Sequence, residues 1–136
     1  MAPVAVTPVE VAPGVVLGAA PLVLIAGPCV IESEELTLRI AESLRGIADR
    51  LGIPLIFKAS FDKANRTSST SYRGMGFDEA FYGINAVHES IGCEVLTDIH
   101  EGWQCGATNA DILQIPAFLC RQTDLIHEAV DTGKPV

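Results

Sequence analysis

The strongest constraint in this sequence is an alternation. Short, continuously apolar runs are followed four times by stretches in which apolar residues recur at helical spacing. Leu22 to Ala26 is the first run, and Gly27-Pro28 closes it as a buried strand ending in a tight turn. Ser33 is then a suitable N-cap, with Glu34 and Glu35 placing negative charge in the first turn. Leu36, Leu38, Ile40, Ala41, Leu44, Ile47 and Ala48 share one helical stripe as far as about Leu51, and Gly52 supplies the stop. Pro54 to Ala59 reads as a second buried strand and Ser60 to Gly76 as a long polar loop. Phe77 to Ile91 restores the helical spacing, Gly92 ends it, and Cys93 to Thr97 is the third strand. A short helix near Glu101 to Thr108, a strand at Asp111 to Ile115 and a helix from about Gln122 to Val130 complete four strand–helix units.

Strands that alternate with helices imply a mainly parallel sheet, either doubly wound and open or part of a (β/α)₈ barrel. A complete barrel takes about 250 residues, so four units in 136 residues correspond to its first half, over residues 22–136. Ahead of it, Met1 to Pro21 carries Pro3, Pro8, Pro13 and Pro21 among valines and alanines, which suits an extended arm or hairpin. Hydrophobic residues are 49% and charged residues 19% of the chain, which excludes disorder and requires a core. Seventeen acidic against nine basic residues give a net charge of -8 and argue against a nucleic-acid partner. No apolar run reaches the roughly 18 residues that cross a bilayer, and the first twenty residues lack a basic leader region. Cys29, Cys93, Cys105 and Cys120 lie far apart without a CxxC pair, so they read as reduced thiols of a cytoplasmic protein.

In parallel α/β folds ligands bind at the carboxyl ends of the strands. Those ends deliver Gly27-Pro28-Cys29, then Lys58 followed by Asp62-Lys63-Ala64-Asn65-Arg66, then Asp98-Ile99-His100-Glu101, and finally Gln114 and Pro116. Lys58, Lys63 and Arg66 are three of the nine basic residues and fall together after one strand. This pattern fits an anion site in which Lys offers point charges and Arg a bidentate fork, although a solvated basic loop has the same spacing. Asp98 and His100 are two apart, so they face the same way if the strand continues through both, and a carboxylate there could fix the imidazole's tautomer. Cys29 beside its Gly-Pro turn could ligate a borderline divalent metal or be an inert core thiol. His88 and His127 read as ordinary helix residues.

Four segments together carry a resemblance: residues 25–33 (IAGPCVIES), 57–66 (FKASFDKANR), 97–101 (TDIHE) and 114–124 (QIPAFLCRQTD). In order and spacing they resemble the 3-deoxy-D-manno-octulosonate 8-phosphate synthases over residues 22–136. The related synthases that use erythrose 4-phosphate carry a different, KPR-type loop after the second strand. The resemblance implies a (β/α)₈ barrel, usually a homotetramer, that condenses phosphoenolpyruvate with arabinose 5-phosphate for lipopolysaccharide synthesis. It implies that Lys58, Lys63, Asp98, His100 and Gln114 belong to the phosphoenolpyruvate side, with Lys63, Asp98 and His100 nearest the chemistry. Asn65 and Arg66 fall on the arabinose 5-phosphate side, and Arg121 near a subunit contact. Metal-dependent members carry Cys where metal-independent ones carry Asn after the first-strand turn. Cys29 is therefore implied as a ligand to a divalent ion such as Mn, Zn or Fe.

The sequence departs from that family's pattern in three places. Ser69-Thr70 stand where the family usually has Ile-His before Ser71-Tyr72-Arg73-Gly74, and Gly102 to Gly106 keep only part of the usual third helix. The chain also stops before the later strands that supply a further lysine and arginine and the remaining metal ligands. The expectation is a catalytically incomplete chain with exposed sheet edges that favour association. A competing expectation is a non-catalytic half-barrel that binds phosphorylated ligands or assembles with another chain. A redox or metal-storage role for the four cysteines is a third.

Overall fold

The computed structural model describes residues 6–136. The first five residues of the expected arm, Pro3 among them, lie outside the described residues. The rest of the arm is a hairpin of β1 (Val9–Ala12) and β2 (Val15–Leu17), paired antiparallel, with Gly14 turning at φ 76°.

The main sheet has four parallel strands in sequential order: β3 (Leu24–Ala26), β4 (Leu55–Lys58), β5 (Glu94–Asp98) and β6 (Ile112–Gln114). Between them run α1 (Glu34–Leu51), α2 (Phe77–Ile91) and α3 (Gly102–Ala107), and α4 (Thr123–Asp131) follows a 3₁₀ turn at Ala117–Leu119. The helix limits match the sequence signals because the signals are local. Ser33 Oγ accepts the Leu36 N–H at 3.2 Å, while Gly52 and Gly92 both turn at φ 65°, a conformation that costs a side-chain-bearing residue energy.

The first strand is shorter and less covered than the sequence suggests. Pairing starts at Leu24, whose N–H donates to the Pro54 carbonyl at 2.9 Å, and Leu22 is left 81% exposed. Ile25 is 46% exposed because β3 has a paired strand on one side only.

Strand alternation divides the sheet into two faces with different chemistry. Leu55, Phe57, Val95 and Leu113 point to the helices. The first three are packed in the cluster that includes Ala41 and Ala48 of α1 and Ala80, Ile84 and Val87 of α2. Leu113 packs with Ile99, Cys105, Leu125 and Ala129 under α3 and α4. On the opposite face Ile56, Leu96 and Ile112 form an apolar layer, which Val15 of the hairpin closes from below with help from Val11. Two residues further along each strand the same face carries Lys58, Asp98 and Gln114. All the helix-side packing lies on one face, so the sheet is singly wound, whereas a doubly wound sheet would need helices on both. Among the described residues no helix is long and apolar enough to cross a membrane.

Candidate active site

The polar layer is possible only because its members satisfy one another. Lys58 Nζ donates to Asp98 Oδ2 at 3.1 Å and to Ser60 Oγ at 2.9 Å. The Ser60 hydroxyl and the Gln114 amide N–H also donate to the Asp98 carboxylate. The Lys58 and Asp98 side chains are 24% and 14% exposed, so the ion pair is partly dehydrated and each charge needs these partners. One carboxylate therefore ties the ends of β4, β5 and β6 together.

Above this layer lies an open cavity of about 250 Å³. Cys29, Lys58, Lys63, Asn65, Asp98, His100 and Gln114 all line it, together with Ser60, Asp62 and Phe118. Four strand ends thus bring together residues between 29 and 118 in sequence. Lys63 makes no ion pair among the described residues, which leaves a cation facing the cavity. Arg66 and Arg121 do not line it. Arg66 lies further along the same loop, and its Nε–H is buried without a partner, a donor that lacks an acceptor. Arg121 is exposed just ahead of α4.

His100 and Asp98 share the cavity but are not hydrogen-bonded to each other. The strand ends at Asp98, and both Asp98 oxygens are taken up by Lys58, Ser60 and Gln114. The His100 ring is held by aromatics instead: edge-on to Phe61 at 5.5 Å and stacked on Phe118 at 6.3 Å. Its backbone N–H is fixed by the Gln104 side chain at 2.7 Å, and its Nδ1 is buried without a partner. The two side chains do face the same cavity, as their spacing indicates, but the Asp98 oxygens are satisfied by Lys58, Ser60 and Gln114, and an aromatic clamp holds the imidazole instead.

Ser60 is the cavity residue that the sequence pattern does not single out. It lies two residues after Lys58 and accepts from its ammonium, a juxtaposition that period-two spacing could have suggested. Its uncharged hydroxyl carried no charge-based signal.

Cys29 is exposed and lies in the cavity wall, so it is not an inert core thiol. Among the described residues no three His, Cys, Asp or Glu side chains converge as a metal site. Cys29 offers one ligand, and these residues do not complete a coordination sphere, which requires three or four in fixed geometry.

A singly wound parallel α/β sheet with a cavity at the carboxyl ends of its strands defines the class of α/β proteins whose sites are built at strand ends. The chain belongs to the DAHP synthetase I family, whose sequence model matches residues 6–136. It is similar to proteins named 2-dehydro-3-deoxyphosphooctonate aldolase. Identity is 61% over 117 residues with that of Trichlorobacter lovleyi, covering 85% of this chain and 43% of the relative. It is 59% over 116 residues with that of Fusobacterium nucleatum, covering 84% and 42%. The protein of that name from Cyanothece sp. is 51% identical over 131 residues, covering 94% and 48%. The chain thus spans a little under half the length of these curated relatives.

Proposed function

We propose that this chain forms the first half of a (β/α)₈ barrel, residues 22–136 behind an N-terminal arm, in a 3-deoxy-D-manno-octulosonate 8-phosphate synthase. The reaction joins phosphoenolpyruvate to arabinose 5-phosphate, consumes water and releases inorganic phosphate. The relatives' shared name supports the reading. The observation that carries it is the convergence of Lys58, Lys63, Asn65, Asp98, His100 and Gln114 on one cavity.

Two phosphorylated anions repel each other, so they can be held at bonding distance only where cations offset that repulsion. In this reading Lys63 meets the reacting end of phosphoenolpyruvate. Lys58 and Gln114 offer their remaining donors to its carboxylate or phosphate, with Asp98 holding both in place and Ser60 bridging Lys58 to Asp98. His100 lines the cavity, and its aromatic neighbours hold the ring still. Asn65 and the unpartnered Arg66 Nε–H serve the sugar phosphate. Arg121 belongs to a contact between subunits of a homotetramer.

Cys29 would be the thiolate that a metal-dependent member offers to a Mn, Zn or Fe ion, which could polarise a substrate carbonyl. Because the described residues do not complete that site, no step here passes through the metal. A cytoplasmic location fits four free cysteines, Cys29, Cys93, Cys105 and Cys120. The second reading, a non-catalytic half-barrel that binds phosphorylated ligands or assembles with another chain, is favoured by the edge exposure of Ile25 and Leu22.

The test is phosphate release from phosphoenolpyruvate and arabinose 5-phosphate, with Mn²⁺ or Zn²⁺ and with a chelator. Half an active site predicts no turnover by this chain alone and turnover when the family's remaining strands are supplied in cis or as a second chain. No turnover in either format would contradict the synthase reading. Metal-dependent turnover by this chain alone, lost in Cys29→Ala, would instead mean that copies complete the site between them.

A further inference from the structure

The loop that carries Lys63, Asn65 and Arg66 runs through residues 59–76 without a helix or strand, yet its two ends are tied. Arg73 Nε donates to Asp62 Oδ1 at 2.8 Å, and a second guanidinium N–H donates to Asp62 Oδ2, which makes a two-pronged pair. The Lys63 backbone N–H donates to the Arg73 carbonyl at 2.6 Å. Beside them Gly74 turns at φ 135°, where a Cβ would lie 2.2 Å from the Phe61 carbonyl oxygen. Three contacts thus join residues 61–63 to residues 73–74 and close the intervening segment into a ring. Loops this long without regular structure are seldom ordered by their own backbone.

Asp62 also lines the cavity that Lys63 faces. Its side chain is 18% exposed while that of Arg73 is 59% exposed, so the carboxylate lies inside and the guanidinium covers it from outside. The arginine's second effect is therefore electrostatic, because it neutralises a carboxylate that would otherwise repel an incoming phosphate.

We infer that Asp62 and Arg73 are positioning residues, a clamp that closes the anion-binding loop and masks the one acidic side chain the loop presents to the cavity. The inference rests on the proposed substrate reading for its ligand but not for its geometry. It also gives Arg73 and Gly74 of the Ser71-Tyr72-Arg73-Gly74 segment a role that the substrate assignments leave unused.

Amide hydrogen exchange across residues 59–76 and calorimetric affinity for arabinose 5-phosphate, measured on Asp62→Ala, Arg73→Ala and the double variant, test the clamp. Either single change should speed exchange in the loop at least tenfold and leave α1 unchanged. Arg73→Ala should weaken arabinose 5-phosphate binding about tenfold or more, since it exposes Asp62. The double variant should bind more tightly than Arg73→Ala alone, a rescue that a merely structural role does not produce. Unchanged loop exchange, acceleration that extends equally into α1, or additive losses in the double variant would overturn the clamp. If the unaltered chain does not bind arabinose 5-phosphate but loop exchange responds as expected, the clamp stands and the substrate reading falls.

Discussion

Replacing Gly27 with alanine should cost about 3 kcal/mol of stability, and the figure follows from backbone geometry. A Cβ on Gly27 would lie 1.9 Å from the Lys58 carbonyl oxygen and 2.9 Å from its carbonyl carbon. That is about 1.5 Å inside ordinary van der Waals contact. The obstacle is main chain of the neighbouring strand, so no rotamer change can relieve it. The strands would have to separate by a large part of that distance, against a normal spacing of about 4.8 Å. The pairing of Leu24, Ile25 and Ala26 with Leu55, Ile56 and Phe57 would then stretch. Overpacking alone costs about 1–3 kcal/mol, and each weakened hydrogen bond adds roughly 1 kcal/mol. Urea unfolding monitored by far-UV circular dichroism measures the loss. Gly46→Ala is the internal control, because the nearest atom to its Cβ is Arg50 Nη1 at 3.7 Å in the middle of α1. That change should stabilise by about 0.5–1 kcal/mol. A Gly27→Ala chain within about 1 kcal/mol of the parent would refute the close approach of β3 to β4.

Four further outcomes follow from the same structure. Asp98→Ala should destabilise by about 3 kcal/mol in urea, since it removes the acceptor shared by Lys58, Ser60 and Gln114 and leaves a partly buried ammonium with one partner. Ser33→Ala should cost about 1 kcal/mol by losing the cap on α1, measured the same way. Stability should also fall in acid. Arg73 holds the Asp62 carboxyl below its ordinary range, so its contribution is complete above about pH 4 and is lost as the pH falls through the lower, folded-state value. Asp62→Asn, compared with the parent between pH 5 and pH 2.5, should remove that part of the slope. Glu94 has the opposite sign: burial and the neighbouring Asp111 push its carboxyl up, so its ionisation works against the fold as the pH rises. Glu94→Gln should therefore be more stable than the parent at pH 7, and nearer to it at pH 4.

Local signals make most of the fold legible in the sequence. α2 occupies Phe77–Ile91 as its spacing indicated, because the stripe of Phe77, Phe81, Ile84 and Val87 and the stop at Gly92 are all properties of that segment. The overextended first strand shows the limit. Leu22 and Val23 are as apolar as Leu24, and only the position of Pro54 and Leu55 on the adjacent strand decides where pairing begins. The choice between a doubly wound and a singly wound sheet was likewise beyond periodicity, since it depends on which face each helix covers. At the site, charged residues were readable from their clustering after strands, whereas partners were not. Spacing matches Asp98 with His100, but the Lys58 ammonium forty positions away has the stronger claim on a carboxylate. Tertiary proximity decided that contest. Asp62 and Arg73 were visible as residues and invisible as a pair, because a loop closes wherever its ends meet in space.

Calorimetric titration of phosphoenolpyruvate into this chain, and into Lys63→Ala, tests the central claim most directly. Saturable binding that weakens between about tenfold and a hundredfold in Lys63→Ala is the predicted result, the range expected for losing one charge-assisted contact. Binding that is absent, or that Lys63→Ala leaves unchanged, would contradict the assignment of this cavity to phosphoenolpyruvate.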